Sequence, residues 1–245
     1  MLIGHYAVGL LGKRIEPKLS LGTLVLAVML PDLLWCVFLI AGTEHVRVKP
    51  GVPFTAGMRA LDALEAPDIV YSHSLVMGAV WGALLAILYL SQRGNKRAAW
   101  VLFAAVLSHW VLDFASHPPD MPLSPGMDAR VGLGLWNSIP ATLAVEGAFW
   151  LLAIAIYLGG TGASSRAWAA VFWLPAGFLT LAWYNNITGP APTDLSIVGY
   201  SSLIFFILTV LWAYWMNRLR PASGLFLEIR PVSANNEALN KESLR

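Results

Sequence analysis

The stretch "HWVLDFASHPPDMP", residues 109–122, closes an otherwise oily segment and carries His109, Asp113 and His117 four residues apart. In a helix, residues i and i+4 point the same way, so this spacing sets metal-ligand side chains along one stripe. Pro118-Pro119 ends any such helix, because proline lacks an N–H and forces its predecessor out of the helical region. Whether three donors on one greasy helix belong to a site or to a plain bundle of membrane helices decides how the rest of the chain is read.

Of 245 residues, 57% are hydrophobic and only 12% charged. Soluble domains carry roughly 25% charged residues, so this composition predicts a lipid-embedded, all-α chain. A net charge of +2 gives no argument for nucleic acid as a partner. The single cysteine, Cys36, excludes an intrachain disulfide framework. The opening "MLIGHYAVGLLG" has no basic leader before it and contains a histidine, so it reads as retained rather than cleaved.

A helix needs about 20 apolar residues to cross the hydrocarbon core. Six segments qualify: 20–41, 69–91, 98–116, 138–158, 167–187 and 197–217. The apolar piece 1–12 is too short to span and reads as a re-entrant helix, tolerated where it packs against protein. Residues 1–219 thus form one transmembrane domain, and 220–245 a polar, loosely ordered tail. The segment 42–68 is a long loop rich in Pro and Gly, with His45 at its surface. With both termini in the cytoplasm, twelve Lys and Arg fall on that side and four on the other, as the positive-inside rule prefers. Trp81, Trp100, Trp110, Trp136, Trp183, Trp212 and Trp215 near span ends read as interface anchors or packing residues.

Ionisable groups within lipid-spanning segments are costly and face a cavity or a partner. Here they are Asp32 in "VMLPDLLW", His109 and Asp113 in "SHWVLDF", and Glu146 in "ATLAVEGAFW", with His73 of "VYSHSLVMG" just inside the second span. Their depths, counted along each span, gather in the outer half, which points to one shared site. Imidazole and carboxylate donors suit zinc, and also manganese or iron. His117 extends the ligand stripe, and a hydroxyl of "SHS" is placed to orient His73.

On these motifs the chain resembles the YdjM-type family of LexA-regulated, inner-membrane metal-dependent hydrolases. It is especially similar to a bacterial branch marked by "GHYAVGL", "YSHSL", "SHWVLDF", "HPPDMPL" and "GLGLWNS". The resemblance covers roughly residues 1–150 and implies a metal set of His5, Asp32, His73, His109 and Asp113. The same order is similar to zinc-dependent phospholipase C. Those enzymes carry further downstream His and Glu ligands, whereas no histidine follows His117 here and Glu146 alone could substitute. The resemblance thus implies one or two ions rather than three.

The expectation is a polytopic hydrolase of the bacterial inner membrane. A divalent metal, zinc first, would activate water against a phosphoester or other ester, with the bilayer as partner and a lipid-like molecule as substrate. Asp113 or Glu146 would be the general base. Two other readings stay open: a transporter using Asp32, Asp113, Glu146 and the histidines as an ion relay, and a non-catalytic protein with a structural metal.

Overall fold

The structure is a computed structural model that describes residues 1–52, 58–164 and 166–222. Apart from short two-residue strands it is all-helical. The helices are α1 (Leu2–Ile15), α2 (Leu21–Val28), α3 (Leu30–Ile40), α4 (Ala60–Ala63), α5 (Leu75–Arg93), α6 (Lys96–Ser116), α7 (Ile139–Gly160), α8 (Trp168–Thr188) and α9 (Val198–Leu219). Strands β1 (Arg47–Val48) and β2 (Leu64–Glu65) form one small antiparallel ribbon, and β3 (Met121–Pro122) and β4 (Arg130–Val131) another.

The six expected spans resolve unevenly. Among the described residues, four helical segments are long and apolar enough to cross a membrane: Leu75–Arg93, Lys96–Ser116, Ile139–Gly160 and Leu195–Leu219. The first expected span is instead two helices, α2 and α3, meeting at 54° around Met29. Pro31 in the first turn of α3 cannot donate to the carbonyl four residues back, so a straight helix is lost there. Counted as one crossing, the bent pair makes five. On the fifth expected span α8 forms as a helix, but Pro175 sits inside it and Asn185 and Asn186 lie in its last turn, and it is not among the helices apolar enough to cross.

α1 is the centre of the bundle. It packs against α2, α6, α7 and α8, and Ile3, His5, Tyr6, Ala7, Leu10 and Lys13 are all buried. Small residues allow the close approach: a Cβ on Gly9 would lie 3.2 Å from Val25 Cγ2 of α2. The Lys13 ammonium donates to the carbonyls of Pro17 (2.9 Å) and Leu19 (2.6 Å). α5 lies at the periphery, with Leu84, Ile87 and Leu88 each more than half exposed on an apolar face.

Contacts fix which ends lie together. Arg97 at the start of α6 donates to the Ile15 carbonyl (2.7 Å) and pairs with Glu16, so α1 and α6 run antiparallel. Asn217 of α9 accepts from Leu21 N at 2.9 Å, and Arg220 donates to Thr161 Oγ1 at 2.9 Å beyond α7. Met1 is consequently at the far end from Arg97, although the charge count expects both on one side. α1 runs the wrong way for that, because its first turn packs on the last turns of α6. Arg220 is buried and stacked on Trp168 at 4.2 Å, so the expected tail begins inside the fold; its remainder, 223–245, lies outside the described residues.

Two outcomes check this arrangement. The chain stays in the membrane fraction through alkaline carbonate washing and is released by detergent. Gly9→Leu, which forces a side chain between α1 and α2, lowers stability by about 1–3 kcal/mol, read as an earlier thermal unfolding transition in detergent.

Candidate metal centre

Four chain segments deliver the site. His5 comes from the first turn of α1, Asp32 from the start of α3, His73 from the turn before α5, and His109 with Asp113 from the last turns of α6. All but Asp32 are buried residues, and its side chain is 16% exposed, the one open edge of the group. His5, Asp32 and His109 can present ligand atoms within 4.8 Å of one another, and so can His73, His109 and Asp113. The two sets share His109.

The helix spacing works as expected for one pair: His109 Nε2 lies 3.1 Å from Asp113 Oδ2, one turn on. Asp32 Oδ1 is 3.7 Å from His109 Nε2 and 3.4 Å from His73 Nε2. His5 stacks flat on His109 with ring centres 3.7 Å apart, and its Nε2 is 3.1 Å from Asp113 Oδ1. The α-amino nitrogen of Met1 also reaches Asp113 Oδ1, at 2.5 Å. His5 Nδ1 is buried with no hydrogen-bond partner among the described residues.

The tautomers follow from the partners. His109 Nδ1 lies 2.7 Å from the Val28 carbonyl, which can only accept, so Nδ1 carries the proton. Val28 is the last residue of α2, and final helix carbonyls lack a partner within the helix. The break before α3 therefore supplies the acceptor that orients His109. His73 Nδ1 lies 2.8 Å from Ser72 Oγ, whose own proton goes to Glu44 Oε2 at 2.6 Å. A hydroxyl has one proton to give, so here too Nδ1 is the donor. The Nε2 atoms of His73 and His109 then face each other at 3.3 Å as lone pairs, with the Asp32 and Asp113 carboxylates beside them. The Met1 ammonium answers Asp113 Oδ1; the Nε2 atoms, Asp32 and Asp113 Oδ2 are acceptors facing one another in a buried place, where a further positive charge, a proton or a metal ion, stabilises them.

Not every expected donor arrives. His73 precedes α5 by two residues, outside the span that was to contain it, because Ser74 caps the helix by accepting from Met77 N. His117 joins neither donor set. The helix stops at Ser116, and the following proline leaves His117 extended (φ −68°, ψ 148°) rather than one turn further along the stripe. It bonds Asp120 at 3.0 Å and packs on Trp136 with ring centres 4.3 Å apart. His45 stays at the surface, paired with Asp68 at 2.6 Å.

Glu146 is fully buried on α7, within electrostatic reach of Asp113. Trp136 Nε1 donates to its Oε1 at 3.1 Å, and Oε2 has no partner among the described residues. The "GLGLWNS" motif makes this contact possible by folding back on the end of α6. Leu133 N bonds the Phe114 carbonyl (2.8 Å), Gly134 N the His117 carbonyl (2.7 Å), and a Cβ on Gly132 would collide with the His117 and Pro118 carbonyls. Trp136 is thus a partner of the buried carboxylate as well as a residue near a span end. Glu44, also buried, escaped the sequence reading because a lone acid in a polar loop looks solvated.

Comparison with family models, with curated proteins and with solved structures finds no match to this chain. The resemblance drawn from the motifs therefore rests on those motifs.

Trp136→Phe removes the donor to Glu146 and leaves a buried carboxylate without its bond. A loss of about 1–3 kcal/mol in unfolding stability is expected, and a much smaller loss when Glu146→Leu is already present.

Proposed function

We propose that the chain is a membrane-embedded, metal-dependent hydrolase of YdjM type, with a divalent ion held by Asp32, His73, His109 and Asp113 and with His5 completing the sphere. One observation carries this reading: two imidazoles, each pinned through Nδ1, aim their Nε2 atoms at one spot that two carboxylates share. Nitrogen and oxygen donors in this mixture favour zinc, with manganese or iron as the other candidates.

A cation bound there supplies Lewis acidity and makes water nucleophilic at neutral pH. Glu146 is better suited than Asp113 as general base. Asp113 is engaged at both oxygens by His5, His109 and the Met1 amine, while Oε2 of Glu146 has no hydrogen-bond partner within bonding geometry among the described residues. The exposed edge at Asp32 is where a substrate would meet the ion. A phosphoester or other ester is the substrate class, and a lipid-like molecule suits a site built among apolar helices. The same reading takes the bilayer as partner, with six crossings including α8, in a bacterial inner membrane. The end bearing Lys13, Arg93, Lys96 and Arg97 then faces the cytoplasm.

Elemental analysis of detergent-purified protein tests the core of this. Zinc, manganese or iron is expected at one or two ions per chain, lost in His109→Ala and retained in His117→Ala. Chelation abolishes ester hydrolysis and the same ion restores it. Wild-type protein that carries and takes up no divalent ion overturns the proposal.

A further inference from the structure

Beside the ligand set lies a second buried group that the proposed chemistry does not use. Glu44, only 1% exposed, sits four residues past the end of α3 in the loop that leads to β1. Its Oε1 accepts from the backbone N–H of Tyr71 and of Ser72, both at 2.9 Å, and its Oε2 accepts from the Ser72 hydroxyl at 2.6 Å. Both oxygens are therefore acceptors, as a carboxylate requires. The Ser72 oxygen in turn accepts from His73 Nδ1 at 2.8 Å. Every proton in this chain runs from the imidazole toward the carboxylate.

We infer that Glu44 and Ser72 are positioning residues of the metal centre, forming a carboxylate–serine–histidine relay that holds His73 as the Nδ1–H tautomer with its Nε2 lone pair on the ion. The inference rests on the metal reading above and deepens it. Imidazole ligands depend on a partner for the nitrogen that does not bind metal, and loss of that partner costs roughly 10–100-fold in affinity. His109 obtains the same service from the Val28 carbonyl, so the two imidazoles are pinned by different means. A carbonyl can never donate. A hydroxyl can, and only the carboxylate behind Ser72 dictates which way it points.

Glu44→Gln tests this because it preserves shape while reversing the relay. The glutamine carbonyl takes over the two backbone N–H groups, and its amide NH₂ then donates to Ser72. The serine proton is left to point at His73 Nδ1, which drives the ring to the Nε2–H tautomer and removes the lone pair the metal needs. Zinc affinity, read by competition with a chromogenic chelator, should fall roughly 10–100-fold in Glu44→Gln and in Ser72→Ala, with Ser72→Thr restoring it. Nitrogen-15 NMR of the metal-free protein should show His73 protonated at Nδ1 in the wild type and at Nε2 in Glu44→Gln. Once His73→Ala is present, Glu44→Gln should cause no further loss of affinity.

Unchanged affinity and an unchanged His73 tautomer in Glu44→Gln would overturn the relay and leave the metal site standing. A loss that persists in the His73→Ala background would also overturn it, since the effect would then be on the fold at large. Wild-type protein that binds no zinc, manganese or iron would remove the metal reading itself, and the relay with it.

Discussion

The controlling constraint is a knot of like-minded groups in a dry place. Two imidazole lone pairs and two carboxylates face one another inside a helical bundle, where an uncompensated charge costs several kcal/mol. The Met1 ammonium meets one oxygen of Asp113, and the remaining acceptors repel one another unless a further cation lies among them. Much of the surrounding architecture makes sense as the means of holding them there. The bend between α2 and α3 releases the Val28 carbonyl, the end of α6 places Asp113 one turn from His109, and the cap of α5 leaves His73 free to turn inward.

The short first helix has its own physical logic. At 14 residues it is about 21 Å long, too little to cross a bilayer core, so its polar ends must be satisfied by protein. Lys13 meets loop carbonyls at one end, and at the other Met1 and His5 meet Asp113. Between them Gly9 and Ala7 let neighbouring helices approach, while the Tyr6 hydroxyl bonds Thr209 of α9 at 2.8 Å. A helix buried on all sides can carry a charged cargo into the bundle that a lipid-facing helix could not. The peripheral α5 shows the opposite case, an apolar face turned outward and no charged residue before Arg93 at its end.

The polar segments outside the helices contribute as much to the site as the helices do. "GLGLWNS" packs on the end of α6 and delivers Trp136 to Glu146, and the loop after α3 delivers Glu44 to Ser72. In "YSHSL" the two serines divide the work, Ser74 starting the helix and Ser72 holding the imidazole. The loop before α5 and the open end of α2 decide which imidazole atom faces inward, whereas position along a helix decides which residue does.

What could be read along the chain is what depends on near neighbours. The helical class, the apolar segments and the pairing of His109 with Asp113 all follow from spacings of a few residues and from the chemistry of single side chains. The gathering of His5, Asp32, His73, His109 and Asp113 was foreseeable because buried ionisable groups in an oily chain need one another. The number of crossings was less legible, since hydropathy does not register the 54° bend after Val28, and α8, with Pro175 inside it and Asn185 and Asn186 in its last turn, is not among the helices apolar enough to cross. His117 stands outside both donor sets, because the helix ends one residue before it. Glu44 and Trp136 were invisible as site residues, because their partners lie 28 and 10 positions away and no local pattern marks a bond made across the fold. Periodicity reports which face a residue occupies; only the packed chain determines what that face meets.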